Sequence, residues 1–182
     1  MNPALERVDL IDLNDRVIGW ALRRDVRARN LLHRGVGIIC RNSSGDVYVH
    51  RRTTTKDVFP GLYDMFVGGV VGQGESYAVA AKREIGEELG IAGPEPVELF
   101  RHTYIGPRNR SLVAIFEVEW DGPIVHQQEE IDWGRFFTQQ ELDESLDSLD
   151  YVPDGLEIYY ELKARRDKPQ DRPESDRGRG RD

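Results

Sequence analysis

The chain has 182 residues, a length that fits one domain with a short appendage. Hydrophobic residues make up 38% and charged residues 32%, a balance typical of a globular protein. The sequence has no apolar run near the ~18 residues of a membrane helix, and its start lacks the apolar core of a signal peptide. The single cysteine, Cys40, excludes an internal disulfide, so we expect a cytoplasmic protein. The net charge of −8 argues against a general nucleic-acid-binding surface.

Several segments have the composition of β-strands. Residues 8–12 and 16–21 flank Asn14-Asp15, which is a turn signal. Residues 36–41 and 46–51 are rich in β-branched side chains, and the turn-forming residues between them predict a hairpin. Further strands are predicted at 97–104 and 112–120.

Helices are predicted mainly in the second half of the chain. The alanine-rich segment 76–89 has Ser76 as an N-cap and Gly90 where a C′ glycine belongs. Residues 138–141 have the spacing of a capping box, and residues 154–157 nearly do. Interleaved strands and helices, with the strands mostly linked by hairpins, predict an α+β fold, an α/β/α sandwich with a mixed β-sheet.

The domain is predicted to cover residues 1–162. The remaining stretch, 163–182, carries eight basic and five acidic residues and no large apolar side chain. Such a segment buries too little surface to offset its ordering entropy, so we expect a disordered charged tail.

An acidic cluster lies on the predicted helix 76–89. Glu84, Glu87 and Glu88 are three and four residues apart, which makes them neighbours on the helix surface. They repel one another, and they occupy the half of the helix where the dipole disfavours anions. A hard divalent cation resolves both penalties, and oxygen ligands suit Mg²⁺, with Mn²⁺ as an alternative, better than zinc.

The acidic cluster belongs to a longer pattern over residues 69–91, which read GVVGQGESYAVAAKREIGEELGI. Its fixed positions are Gly69, Glu75, Arg83, Glu84, Glu87, Glu88 and Gly90, with aliphatic Ile85 and Ile91. Seven fixed positions match together by chance in roughly one window in 10⁹. The pattern is the Nudix box, and the chain resembles the Nudix hydrolase superfamily over about residues 8–162.

This resemblance implies a role for each matched residue. Glu84, Glu87 and Glu88 would bind Mg²⁺ with the backbone carbonyl of Gly68. Arg83 would pair with a glutamate of the motif, most naturally Glu75, and lock the loop onto the helix.

The implied activity is hydrolysis of a small-molecule diphosphate. A carboxylate would take a proton from the attacking water, and the candidates for this base are Glu87 and the pair Glu129-Glu130. For Glu129-Glu130 a solvated turn is an equally good interpretation. The oligomeric state, monomer or homodimer, is left open.

Basic residues outside the motif are candidate phosphate ligands. Arg51 ends a predicted strand, and Arg52 and Lys56 follow it. For Arg52 a solvated cation is an equally good interpretation, since adjacent strand residues point in opposite directions. Arg108 and Arg110 follow a Gly-Pro turn and are weaker candidates for a terminal phosphate.

Segments around the motif look like the superfamily branch that contains type I isopentenyl-diphosphate isomerase. The isomerase has a catalytic cysteine and a histidine at positions that fall here at Val67 and Gly69. Cys40 lies elsewhere, in a predicted core strand, and His33 is the one histidine kept from the isomerase pattern, where a structural role competes with metal binding. The isomerase and a non-catalytic, nucleotide-sensing Nudix module are the two alternatives to a hydrolase.

Overall fold

The described part of the chain, residues 3–56 and 58–167 of a computed structural model, contains eight strands and four α-helices after a 3-10 turn at Pro3–Leu5. The strands are Arg7–Ile11 (β1), Val17–Leu22 (β2), His33–Arg41 (β3), Val47–Arg52 (β4), Tyr63–Asp64 (β5), Val97–Ile105 (β6), Arg110–Glu119 (β7) and Ile131–Phe137 (β8). The helices are Arg23–Arg29 (α1), Tyr77–Leu89 (α2), Gln139–Ser145 (α3) and Pro153–Arg166 (α4).

The sheet is mixed, as predicted. Strand β3 pairs with β7 in parallel from His33↔Ser111 to Arg41↔Glu119, whereas every other strand pair is antiparallel. Strand β6 continues the sheet beyond β7, and β8 lies beside β4. The long parallel pair places β3 near the middle of the fold.

Helices cover both faces of β3, which confirms the α/β/α sandwich. Ile38 belongs to a core with Ala81 and Ile85 of α2. Its neighbour Ile39 points to the other face, into a core that includes Ile158 of α4. Alternation along one strand therefore feeds two cores, as expected for a strand buried on both sides.

The predicted hairpin between β3 and β4 is wrong beyond its turn. The turn forms, with Gly45 N donating to Asn42 O at 2.9 Å, but the two strands pair only at Arg41↔Val47. The edge of β3 is taken instead by a loop, since Ile38 bridges to Val67 and Gly35 bridges to Val70. Strand β4 pairs with β8 and β5 because that edge is not open to it.

The predicted helix ends are mostly confirmed. Ser76 accepts a hydrogen bond from Val79 N at the start of α2, and Gly90 adopts the left-handed conformation at its end (φ 67°). The capping box of α3 is present between Thr138 and Glu141. Helix α1 follows β2 and was not predicted from the sequence.

Helix α4 differs from its prediction at both ends. It begins at Pro153 with Val152 as N-cap, so residues 154–157 lie inside the first turns instead of forming a cap. It continues to Arg166, so the predicted domain boundary after residue 162 falls within a helix. Residues 168–182, most of the predicted tail, lie outside the described residues. Among residues 3–56 and 58–167, no helix combines the length and the apolar character needed to cross a membrane.

Candidate active site

The glycines at residues 68 and 69 are fastened to the middle strand of the sheet. Val36 N donates to Gly69 O at 2.9 Å, and Ile38 N donates to Val67 O at 2.7 Å. A Cβ atom at Gly68 would lie 2.1 Å from Val36 O, so the loop approaches the strand closely only because this residue has no side chain. These contacts with β3 thus fix the position of the loop relative to the sheet.

Helix α2 presents two glutamates to this loop. Glu84 and Glu88 are one helical turn apart and are both buried, with exposed fractions of 7% and 5%. Gly68 N donates to Glu88 Oε2 at 3.3 Å, and a Cβ atom at Gly69 would lie 2.5 Å from Glu84 Oε1. The glycines and the two carboxylates therefore form one oxygen-lined floor.

The two carboxylates are costly in this position. Burial raises the pKa of Glu84, and burial together with the charge of Glu84 raises the pKa of Glu88. Buried anions are retained only where a cation or hydrogen bonds compensate them. The arrangement therefore fits a hard divalent cation bound by oxygen atoms.

Arg83 locks the loop to the helix as the motif implies. Its Nε and Nη2 atoms each lie 3.0 Å from an oxygen of Glu75, which makes a bidentate ion pair. Glu75 in turn accepts a hydrogen bond from Gly72 N at 2.9 Å. Arg83 Nη1 also contacts Glu84 Oε1 at 2.8 Å and Glu87 Oε2 at 3.2 Å.

The structure buries two of the three predicted metal ligands. The third, Glu87, has a side chain that is 54% exposed, and it shares Arg83 Nη1 with the buried Glu84. Within residues 3–56 and 58–167, no three acidic, histidine or cysteine side chains are close enough to hold a metal by themselves. Any third ligand therefore has to come from backbone, substrate, water or a rotated side chain.

A cleft of about 700 Å³, counted with the space open to solvent, is lined by the two glycines of this floor and not by the glutamates packed against them. Gly68 and Gly69 line its base, and Phe66, Val113 and Ile158 give it apolar walls. Five polar wall residues were missed by the sequence analysis because they come from separate elements with no shared motif: Arg27, Asp64, Asn109, Ser111 and Asp154.

Asp64 is the most unusual of these wall residues. It is 7% exposed and accepts a hydrogen bond from Phe66 N at 3.0 Å. Burial raises its pKa to about 7, although the charge of Arg52 acts in the opposite direction. A carboxyl group that titrates near neutrality in a cleft is a functional-site signal.

The two adjacent arginines at the end of β4 have different surroundings. Arg51 Nε contacts Asp132 Oδ1 at 2.8 Å, and its side chain is 43% exposed. Arg52 instead lines the cleft and donates to Val58 O at 3.0 Å. Arg52 Nε is buried and lacks a hydrogen-bond partner within the described residues, so Arg52 rather than Arg51 combines a place at the cleft with an unsatisfied donor.

The other predicted site residues lie around this cleft. Lys56 and Glu130 form an ion pair with each other outside the floor. Arg108 and Arg110 are exposed, and neither lines the cleft. His33 does line it, but its Nδ1 lies 2.9 Å from Leu31 O, and burial lowers its pKa to about 4.

The one cysteine does not resemble a catalytic thiol. Cys40 is 2% exposed in β3, and burial raises its pKa to about 12, so a reactive thiolate is absent at neutral pH. The only cysteine of the sequence therefore does not offer the reactive thiol that the isomerase alternative would need.

A mixed sheet between helices, with a glycine loop fastened to an acidic helix, defines a Nudix-type fold. The chain belongs to the NUDIX domain family, whose model matches residues 31–159. It is a hydrolase of this family, whose members typically use divalent metal cations.

Similar proteins cover nearly the same span. An uncharacterised Nudix hydrolase of Streptomyces coelicolor is 49% identical over 166 residues, which cover 90% of this chain and 92% of that protein. The crystal structure of DR0079 from Deinococcus radiodurans superposes with a TM-score of 0.75 at 29% identity and covers 86% of this chain and 98% of that one. The NUDIX domain of Shewanella oneidensis NrtR, solved with ADP ribose, shares the fold at 16% identity, with a TM-score of 0.57 over 80% and 99% of the two chains.

Proposed function

We propose that the protein is a Mg²⁺-dependent hydrolase that cleaves a phosphoanhydride bond in a compound containing a nucleoside diphosphate. The observation that carries the proposal is the pair of buried carboxylates, Glu84 and Glu88, packed against the two glycines that line the cleft. Glu84, Glu88 and the carbonyl of Gly68 would hold the cation, and Glu87 would join them after leaving Arg83. When bound, the ion supplies positive charge against the diphosphate oxygens and lowers the pKa of water.

The residues of the chain have separable tasks in this reaction. Arg52, with the buried Nε described above, binds a phosphate oxygen and orients the phosphorus. The water oxygen forms a bond to that phosphorus, the bridging P–O bond breaks, and the bridging oxygen leaves with the other phosphate. A carboxylate accepts the proton that the water loses.

Three carboxylates are candidates for that proton acceptor. Glu87 is exposed beside Arg83, and Glu130 is bound to Lys56. Asp64 adds a third candidate, since it lines the cleft and has a pKa of about 7. A base with a pKa near the working pH combines the deprotonated state with a useful affinity for protons.

The test is a panel of nucleoside triphosphates, nucleoside diphosphate sugars and dinucleotides, incubated with Mg²⁺ and then with excess EDTA. We expect metal-dependent release of phosphate, pyrophosphate or a nucleotide from at least one member. Absence of release from every member would contradict the proposal, and binding without turnover would favour a nucleotide-sensing module. Release with Mn²⁺ and not with Mg²⁺ would replace the metal in the proposal and leave the proposed reaction unchanged.

A further inference from the structure

The first two strands of the chain pack beside the loop that leads into α2. Strands β1 and β2 pair with each other along their whole length and form a two-stranded unit, which we call the N-terminal ribbon. The ribbon precedes residue 31, where the match to the NUDIX family model begins. Strand β1 pairs with β3 only at Leu10↔His33, so the rest of that edge of β1 can pair with another segment.

The segment that pairs with this edge is the glycine loop. Val8 forms an antiparallel bridge with Gly72, and Gln73 N donates to Arg7 O at 2.9 Å. Strand β3 binds the same loop as far as Val71. The N-terminal ribbon therefore holds the part of the loop that lies beyond the reach of the middle strand.

Asp9 is the side chain that the ribbon adds to this contact. Its carboxylate is buried and accepts a hydrogen bond from Gly74 N at 3.0 Å, its one hydrogen bond within residues 3–56 and 58–167. Gly74 is exposed and has a φ of 73°. Burial of a carboxylate costs free energy, and an ionised acceptor makes a stronger hydrogen bond than a neutral one. The bond between Asp9 and Gly74 therefore fixes the end of an otherwise exposed loop.

The residue after Gly74 controls the position of Arg83. Glu75 binds Nε and Nη2 of the guanidinium, and Nη1 contacts Glu84 and Glu87. If the loop moved and Glu75 left Arg83, Glu84 and Glu87 would be the carboxylates that remain beside the guanidinium. Arg83 would then compete with a cation for them.

The turn of the ribbon contacts the start of α2. Tyr77 Oη donates to Asp15 Oδ1 at 3.1 Å. The same carboxylate accepts hydrogen bonds from Arg34 Nε at 2.6 Å and from Arg101 Nη1 at 2.9 Å, so β3 and β6 both anchor the turn. The ribbon thus contacts the polypeptide on both sides of Ser76, the N-cap of α2.

We propose that Asp9 is a positioning residue for the metal site: by binding Gly74 it keeps Glu75 on Arg83 and leaves Glu84 to the cation. This inference rests on the proposed function and deepens it, because it gives a role in metal binding to a residue outside the motif and outside the matched domain. Asp9 acts through the loop and has no contact with the reacting atoms.

The test measures the binding of Mn²⁺ to the full chain by electron paramagnetic resonance, without substrate. Asp9→Ala removes the acceptor for Gly74 N and should weaken Mn²⁺ binding about tenfold. Asp9→Asn keeps an acceptor oxygen at this position and should stay within about threefold of the wild type.

The matched control is Asp12→Ala. It removes a carboxylate from the same ribbon that also accepts backbone hydrogen bonds, but its donors are Asn14 N and Arg16 N in the ribbon's own turn. Mn²⁺ binding should stay within about twofold of the wild type.

A second measurement separates positioning from a general loss of structure. If Asp9 acts through metal affinity, hydrolysis by Asp9→Ala should fall at low Mg²⁺ and return to within about threefold of the wild type at saturating Mg²⁺. The KM for the substrate at saturating Mg²⁺ should be unchanged. Circular dichroism in EDTA checks that the variant is folded before metal is added.

Two provisions cover a variant that does not fold. Asp9→Leu then replaces Asp9→Ala, because leucine removes the acceptor and keeps the branched shape in a buried position. The metal-free wild type also provides a measurement without any variant: the Gly74 amide should exchange with deuterium at least about tenfold more slowly than an unprotected amide.

The outcomes separate the two proposals. Equal Mn²⁺ binding by the wild type and Asp9→Ala, equal losses in Asp9→Ala and Asp9→Asn, or a matching loss in Asp12→Ala would each overturn the role of Asp9 and leave the hydrolase proposal standing. An unprotected Gly74 amide in the metal-free wild type would do the same. Failure of the wild type to bind Mn²⁺ and to hydrolyse any substrate of the panel would overturn the hydrolase proposal and the role of Asp9 with it.

Discussion

The loop–helix segment 69–91 and strand β4 both contribute residues to one cleft, but they place their charged side chains by different rules. On α2 a helical turn puts Glu84 and Glu88 on the same side, so one face decides both positions. On β4 the adjacent Arg51 and Arg52 point in opposite directions, and only the partner strands decide which of them meets the cleft. The spacing of residues along one helix therefore specifies the positions of Glu84 and Glu88. Long-range strand pairing specifies which of the two arginines lines the cleft.

The largest expected effect tests the acidic floor. Glu88→Gln keeps the shape of the side chain and removes a charge that would hold the metal, so hydrolysis should fall about 10²-fold or more. The metal-free variant should unfold at no lower urea concentration than the wild type, since the amide no longer repels Glu84. Turnover rates measured beside urea unfolding curves check both statements.

The matched control for this change is Glu95→Gln, on an exposed carboxylate that pairs with Lys82. It should leave turnover within twofold of the wild type. Equal turnover in Glu88→Gln and Glu95→Gln would remove Glu88 from the site.

The next effect concerns the buried end of β4. His50 is 1% exposed, and burial followed by the charge of Arg52 lowers its pKa to about 3. As the pH falls below about 6.5, His50 binds a proton in the unfolded chain but not in the folded protein. The folded state therefore loses stability. At 1.36 kcal/mol for each pKa unit, this loss reaches about 2 kcal/mol at pH 5.

His50→Leu removes that linkage with a side chain of similar size. The variant should match the wild type near pH 7.5 and exceed its free energy of unfolding by about 2 kcal/mol at pH 5. Urea unfolding followed by tryptophan fluorescence at the two pH values provides the measurement. The same difference at both pH values would mean that His50 does not set the acid sensitivity.

A smaller effect separates the two arginines. Arg52→Gln should lower kcat/KM about tenfold, because the guanidinium that lines the cleft loses its phosphate contact. Arg51→Gln should change kcat/KM less than twofold, since its partner Asp132 lies on the surface. Measurement of kcat/KM on the best substrate of the panel shows which variant loses more. A larger loss in Arg51→Gln would contradict the assignment of Arg52 as the phosphate-binding arginine.

The smallest expected effect compares two glycines of the α2 region, one at the end of the helix and one inside it. Gly90 has a φ of 67° and a Cβ there would lie 3.1 Å from Val125 Cβ, so Gly90→Ala should lower the free energy of unfolding by about 1 kcal/mol. Gly86 lies inside the same helix with room for a methyl group, and Gly86→Ala should raise it by about 0.5 kcal/mol. In parallel urea titrations, the changes in the free energy of unfolding should have opposite signs in the two variants. Changes of the same sign would contradict the prediction.

Much of the candidate site could be predicted because the motif is continuous in sequence. Ser76, Gly90 and the Arg83–Glu75 pair occupy their expected positions, since each contact spans no more than a few helical turns. The placement of Glu87 was harder to predict, because i and i+3 positions are neighbours on a helix but do not share one burial environment.

The remainder of the site depends on residues that are far apart in sequence. Asp64 and Asn109 carry no motif and reach the cleft from separate strands and loops. Asp9 lies outside the motif, and its hydrogen bond to Gly74 forms only because the N-terminal ribbon folds against the loop. No local pattern contains that information.

The sequence by itself determined the acidic helix, its caps, its ion pair with the loop and the membership of the chain in its family, because all of these depend on spacings within one turn or one continuous motif. The tertiary structure alone decided that the glycine loop, and not β4, occupies the edge of β3, that Arg52 and not Arg51 lines the cleft, and that two carboxylates are buried while the third is exposed. The physical reason is that a strand edge accepts one partner and a helix buries one face. Which partner and which face are chosen depends on the packing of the whole chain.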